Sequence, residues 1–211
     1  MKKLYDLKKA SHTVLLVLSL SVIGIANGYA QDFTVDGLNY TFNEDGVSVT
    51  VSGEYGAWYD PLVIPESVEH EGVSYAVTAI GDHAFNWGNL WGELIIPNSI
   101  VTIGESAFEG CSNLTGLLVI PNSVTTIGNA AFCWCEGFNG SLTLGNSVVT
   151  IGDYAFQGCG FTGDLMIPGS VTTIGEAAFY NCGFTGSLSI MFLLGVRVLR
   201  VNWSFPIRFI R

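Results

Sequence analysis

Residues 120–132 read IPNSVTTIGNAAF, and the chain says nearly the same thing again at residues 96–108 (IPNSIVTIGESAF) and 167–179 (IPGSVTTIGEAAF). Aligned on Ile-Gly, the copies place Ile80, Ile103, Ile127, Ile151 and Ile174 at intervals of 23, 24, 24 and 23 residues. A unit of that length is one coil of a solenoid. It cannot bury its own apolar face and becomes stable only when stacked on its neighbours.

The whole unit runs Leu/Phe-x-Gly-x-Leu-x-Ile-Pro-x-Ser-Val-x-Thr-Ile-Gly-acid-x-Ala-Phe-x-x-Cys. Leu94, Leu118, Leu142, Leu165 and Leu188 are each followed two residues later by Ile96, Ile120, Leu144, Ile167 and Ile190. A spacing of two is that of a strand. Pro97, Pro121 and Pro168 end the strand, because proline has no N–H for a further ladder bond. A second short pair, Val124 and Ile127 and their equivalents, precedes the glycine. No segment holds a helical period for the length an independent helix needs. The expected fold is a mainly β repeat solenoid of about five rungs of 23–24 residues.

Stacking turns each repeated position into a column. Phe85, Phe108, Phe132, Phe156 and Phe179 become a buried aromatic spine, with the preceding alanine leaving room for close approach. Cys111, Cys135, Cys159 and Cys182 stand three residues after those phenylalanines and form a second column. Rungs ~5 Å apart would allow disulfides between neighbours, but a row of buried small thiols is the expected state. The count of five cysteines leaves at least one unpaired in any case. Cys133 is out of phase and is expected at the surface. Cys133-Trp134-Cys135 offers two ligands, no nearby histidine and the wrong spacing for a zinc knuckle, so no metal or other cofactor is expected.

The residue after each Ile-Gly is Asp82, Glu105, Asn129, Asp153 or Glu176. These are expected to accept backbone N–H groups at the start of the following turn; a divalent cation between rungs is the alternative. Ser99, Ser123, Ser147 and Ser170 are expected to cap turns with their hydroxyls.

Charge is unevenly placed. No lysine or arginine occurs between residues 10 and 196, and beyond residue 30 seventeen acids face four arginines, a formal charge of minus thirteen. Such a surface repels phosphate backbones, which excludes nucleic acid as a partner. The first thirty residues read as a cleaved secretory signal: Lys2, Lys3, Lys8 and Lys9, then an apolar stretch at residues 14–25, then Gly28-Tyr29-Ala30 with cleavage after Ala30. The apolar stretch is shorter than the ~20 residues of a membrane span. A secreted or cell-surface protein with no span in the mature chain is expected.

The ends differ from the middle. Residues 31–61 alternate apolar and polar residues around Asp36-Gly37 and predict a small β cap over the first coil. The first coil opens at Leu62 and carries nine extra residues, 69–77, which predict a protruding hairpin. Residues 191–211 hold all four arginines of the mature chain, no acid and nothing of the repeat, as a divergent cap or a frame-shifted tail would. The solenoid proper is residues 62–190.

The unit closely resembles the BspA-like (treponemal-type) leucine-rich repeat of bacterial surface proteins, in five successive copies. DFTVDGLNY at residues 32–40 and YAVTAIG at residues 75–81 resemble the lead-in of secreted Bacteroides-group members. The resemblance implies a right-handed leucine-rich-repeat coil and a role in adhesion to, or recognition of, extracellular or surface proteins. It carries over no binding residues. The chain departs from the pattern at Gly88, where cysteine is expected, and at Gly145, where proline is expected.

No nucleophile elbow, phosphate loop or HExxH occurs, and only His70 and His83 remain beyond the leader, so an enzyme is not expected. Trp87 and Trp134 share one phase, two residues after the spine phenylalanine and two rungs apart. With Trp91, Tyr154 and Tyr180, and with Trp58 and Tyr59, they form an acid-rimmed aromatic strip fit to grip a protein, especially a basic one, or to stack on sugar. Alternatively these rings pack the turn edges, and the chain is a structural spacer or a fragment of a longer surface protein.

Overall fold

The computed structural model describes residues 32–54, 61–190 and 197–198. The leader, Trp58, Tyr59 and most of the tail lie outside the described residues. The chain begins with β1 (Phe33–Val35), β2 (Leu38–Phe42) and β3 (Ser48–Glu54), an antiparallel meander. The turn at Asp36-Gly37 has φ of +49° and +80°, the primed geometry that matches strand twist.

The first coil opens with β4 (Leu62–Val63), and β5 (Ser67–His70) then pairs antiparallel with β6 (Val73–Ile80) through Glu71-Gly72. This is the hairpin expected from the extra residues. Each later coil supplies two short strands on either side of the proline position: β7 (Leu94–Ile95) and β8 (Thr102–Ile103), β9 (Gly116–Val119) and β10 (Thr126–Ile127), β11 (Phe138–Thr143) and β12 (Thr150–Ile151), β13 (Leu165–Ile167) and β14 (Thr173–Ile174). β15 (Leu188–Ile190) and β16 (Arg197–Val198) follow. Among the described residues there is no helix.

One sheet runs the length of the molecule in the order β1-β2-β3-β6-β8-β10-β12-β14-β16, parallel from β3 onward. Its register sets Ile80, Ile103, Ile127, Ile151 and Ile174 in line. The opposite ladder is broken into the pairs β4–β7, β9–β11 and β13–β15. Within the described residues the divergent tail rejoins the pattern at Arg197-Val198, which pairs in register with Thr173-Ile174, one period on.

The spine forms as the alignment requires. Phe85, Phe108, Phe132, Phe156 and Phe179 are fully buried, with ring centroids 5.0, 5.1, 5.4 and 5.3 Å apart and planes within 10° of parallel. A second column runs beside it through Leu90, Leu114, Phe138, Phe161 and Phe184. Phe156 meets Phe161 edge-on at 6.1 Å, so each row locks the other with favourable aromatic geometry. The Ile-Gly glycine is required by close approach: a Cβ on Gly128 would stand 2.6 Å from the Gly104 carbonyl carbon and 2.7 Å from the Glu105 nitrogen.

All five cysteines are free thiols. Cys111, Cys135, Cys159 and Cys182 each donate Sγ–H to the carbonyl of the spine phenylalanine one rung back, at 2.9–3.1 Å. Three expectations are corrected. Cys133 is buried, not exposed, because Gln157 of the next rung lies over it with Oε1 4.0 Å from Sγ. Asp82, Asn129 and Asp153 do accept backbone N–H groups, but those of Glu105, Asp153 and Glu176 on the following rung, at 2.6–2.9 Å. Their own turns have no N–H to spare, since His83 N already donates to Glu105 O. The hydroxyls of Ser99, Ser123 and Ser170 cap nothing: they are buried without a partner. The main chain closes that turn by itself, with Val124 N donating to Pro121 O at 3.2 Å.

Candidate binding surface

The aromatic residues sit on the turn that follows Ile-Gly-acid. Along this turn alternate N–H groups, such as His83, Phe85 and Trp87, donate to carbonyls of the next rung at 2.6–2.8 Å. The residues between them close back on carbonyls three earlier, as Asn86 does on His83. Holding both sets of bonds forces two residues per rung into the left-handed region. One column is His83, Ser106, Ala130, Tyr154 and Ala177, with φ between +50° and +58°. The other is Trp87, Gly110, Trp134, Gly158 and Asn181, with φ between +54° and +73°.

The second column alternates. Trp87 lies over Gly110, where a Cβ would fall 2.5 Å from the indole, and Trp134 lies over Gly158, where it would fall 2.6 Å away. Glycine removes the side chain that the ring of the preceding rung covers, and it adopts positive φ freely. Tryptophan in the same conformation is strained by about 1–2 kcal/mol. It is held there by the inter-rung bonds from Trp87 N to Glu109 O (2.6 Å) and from Trp134 N to Gln157 O (2.7 Å). Trp87 is 69% and Trp134 38% exposed, so neither ring serves the core.

Trp87, Gly110, Ser112, Trp134 and Glu136 line one open hollow of about 440 Å³. The other candidate residues do not line it. Tyr154 is exposed in the first left-handed column. Tyr180 is exposed in the column of Glu109 and Cys133. Trp91 is exposed on the far side of Leu90, its Nε1–H donating to Asn89 Oδ1 at 3.0 Å. A second, larger hollow of about 540 Å³ runs along the main sheet over Thr102, Thr126, Thr150 and the Ile-Gly-acid columns. Among the described residues, no three His, Cys, Asp or Glu side chains gather as metal ligands.

A family model described as BspA type leucine rich repeat region, in six copies, matches residues 78–193, more than half of the chain. The chain belongs to this family. Counting coils by their opening strand, from Leu62 to Leu188, also gives six, against five counted by Ile-Gly. Among solved structures the protein is similar to the leucine rich repeat protein of T. pallidum, at 25% identity and a TM-score of 0.63, over 75% of this chain and 71% of that one. It shares its fold with the pneumococcal vaccine antigen PcpA, at 20% identity and a TM-score of 0.53, over 77% of this chain and 50% of that one. No curated protein matches it.

One surface feature of this BspA-type coil escaped the sequence reading. The residue between the two inward positions of the opening strand is Val63, Ile95, Val119 and Met166, all exposed, with Thr143 in the coil between the last two. With Leu117 they make an apolar stripe on the broken ladder. The signal lies in the variable position of Leu-x-Ile, which alternation assigns to solvent whatever residue fills it. No helix among the described residues is long and apolar enough to cross a membrane.

Proposed function

We propose that this protein is a secreted or cell-surface scaffold that recognises extracellular proteins through the aromatic edge of its solenoid and performs no chemistry of its own. The observation that carries this is the exposure of Trp87, Trp91, Trp134, Tyr154 and Tyr180 on a molecule whose core is already filled by two other rows. Large aromatics at a surface supply most of the energy of protein recognition. The acid-rich surface, with no lysine or arginine between residues 10 and 196, favours basic partners. The leader up to Ala30 supports export.

The groups that catalysis would need are engaged elsewhere. The His70 ring stacks on Phe33 at 4.1 Å, and the four columnar thiols are bonded to carbonyls. The test is retention of the secreted chain on a panel of immobilised extracellular proteins at low and high salt. Saturable retention that weakens with salt is expected. A folded chain that binds none of the panel at low salt would leave only a spacer role.

A further inference from the structure

We infer that the hollow between Trp87 and Trp134 is a seat for the guanidinium of an arginine in a basic segment of the partner, with Glu136 as its counter-ion. This rests on the proposed reading and names the chemistry of its contact. The hollow is lined by the Trp87 and Trp134 indoles, by Gly110 on which the Trp87 ring lies, and by Ser112 and Glu136, both exposed. Indole faces attract cations, and a planar guanidinium stacks on them while its edge still donates hydrogen bonds. Glu136 supplies the carboxylate for that edge and Ser112 a hydroxyl acceptor.

Among the described residues from β1 to β15 there is no lysine or arginine. The neighbouring acid, Glu109, already accepts from Asn86 Nδ2 at 3.4 Å, which leaves Glu136 as the open charge. The two tryptophans stand two rungs apart, ~10 Å by strand spacing, so one extended segment with arginines at alternate or third positions could meet both rings.

The variants for the test come from the molecule itself. Gly110 and Gly158 show that this column accepts glycine at positive φ, so Trp87→Gly and Trp134→Gly remove a ring while relieving backbone strain. Glu136→Gln removes the charge and keeps the shape. The probe is a capped peptide of alternating glycine and arginine, titrated into the secreted chain by tryptophan fluorescence and calorimetry. The controls are the same peptide with neutral citrulline for arginine, and a neutral β-linked oligosaccharide.

The arginine peptide should bind, with affinity falling about tenfold in Glu136→Gln, by more in Trp134→Gly, and with rising salt. Equal binding of the citrulline peptide, an unchanged Glu136→Gln, or binding of the oligosaccharide in place of the peptide would overturn the inference. If the protein panel is bound equally well by all three variants, the seat is wrong and the recognition role stands. If the peptide binds and no panel protein does, the reverse holds.

Discussion

The residues that decide this molecule are those with no room to change. Phe132 is fully buried between Phe108 and Phe156, at 5.1 and 5.4 Å. Phe132→Ala is expected to cost about 3–5 kcal/mol, as emptied aromatic sites in cores do, read as a shift in the urea midpoint. Gly110 is constrained twice, by φ of +73° and by the ring of Trp87. Gly110→Ala should lose about 1–2 kcal/mol from the backbone alone and also displace the indole, visible as a change in Trp87 emission. Glu54 is a third case. Its Oε1 lies 2.9 Å from where a Cβ on Gly88 would stand, occupying the space at the end of the cysteine row. Its Oε2 is buried without a partner, and burial raises its pKa. A raised carboxyl pKa means stability present at low pH and lost as pH rises through it. Glu54→Gln should therefore raise the melting temperature at pH 7 and change it little at pH 4.

At the scale of the element, the columns were legible because every coil states them in the same words. Phe85 to Phe179, Ile80 to Ile174 and the opening leucines all fall where period and alternation put them. What was not legible is the direction of polar bonds. Asp153 has the composition of a turn cap, but a neighbouring rung ~5 Å away offers its amide to the same oxygen, and sequence spacing does not distinguish the two. The serine hydroxyls misled for a related reason, since the main chain of Pro-x-Ser-Val closes without them. Trp87 and Trp134 share a phase that the sequence states, yet the role of Gly110 and Gly158 beneath their rings is not legible there. Glycine in a turn reads as flexibility until a ring is seen lying on it.

For the whole molecule, stability is the sum of like contacts between successive coils, and its buried titratable groups act together. Burial pushes Cys133 and Cys182 up to about 12 and Cys111 and Cys159 further, while burial and Asp36 raise Tyr40 to about 12. Each is neutral in the folded state through a range in which the unfolded chain gives up its proton. The contribution of these thiols and of Tyr40 should then be flat below about pH 8 and fall steadily from about pH 9 towards pH 12, measured by denaturant titration across that range. A maleimide reagent at neutral pH should label the native protein slowly and the unfolded protein fully.

The alternation of indole and glycine has a consequence for how such an array can lengthen. The interior repeats with every coil, whereas on the aromatic edge tryptophan and glycine alternate from Trp87 to Gly158. Duplicating a single unit would keep the phenylalanine row intact and yet set a tryptophan where its neighbour's ring already lies, or leave two bare glycines side by side. Duplicating a pair would extend inside and outside together, making the doublet the smallest heritable length of working surface.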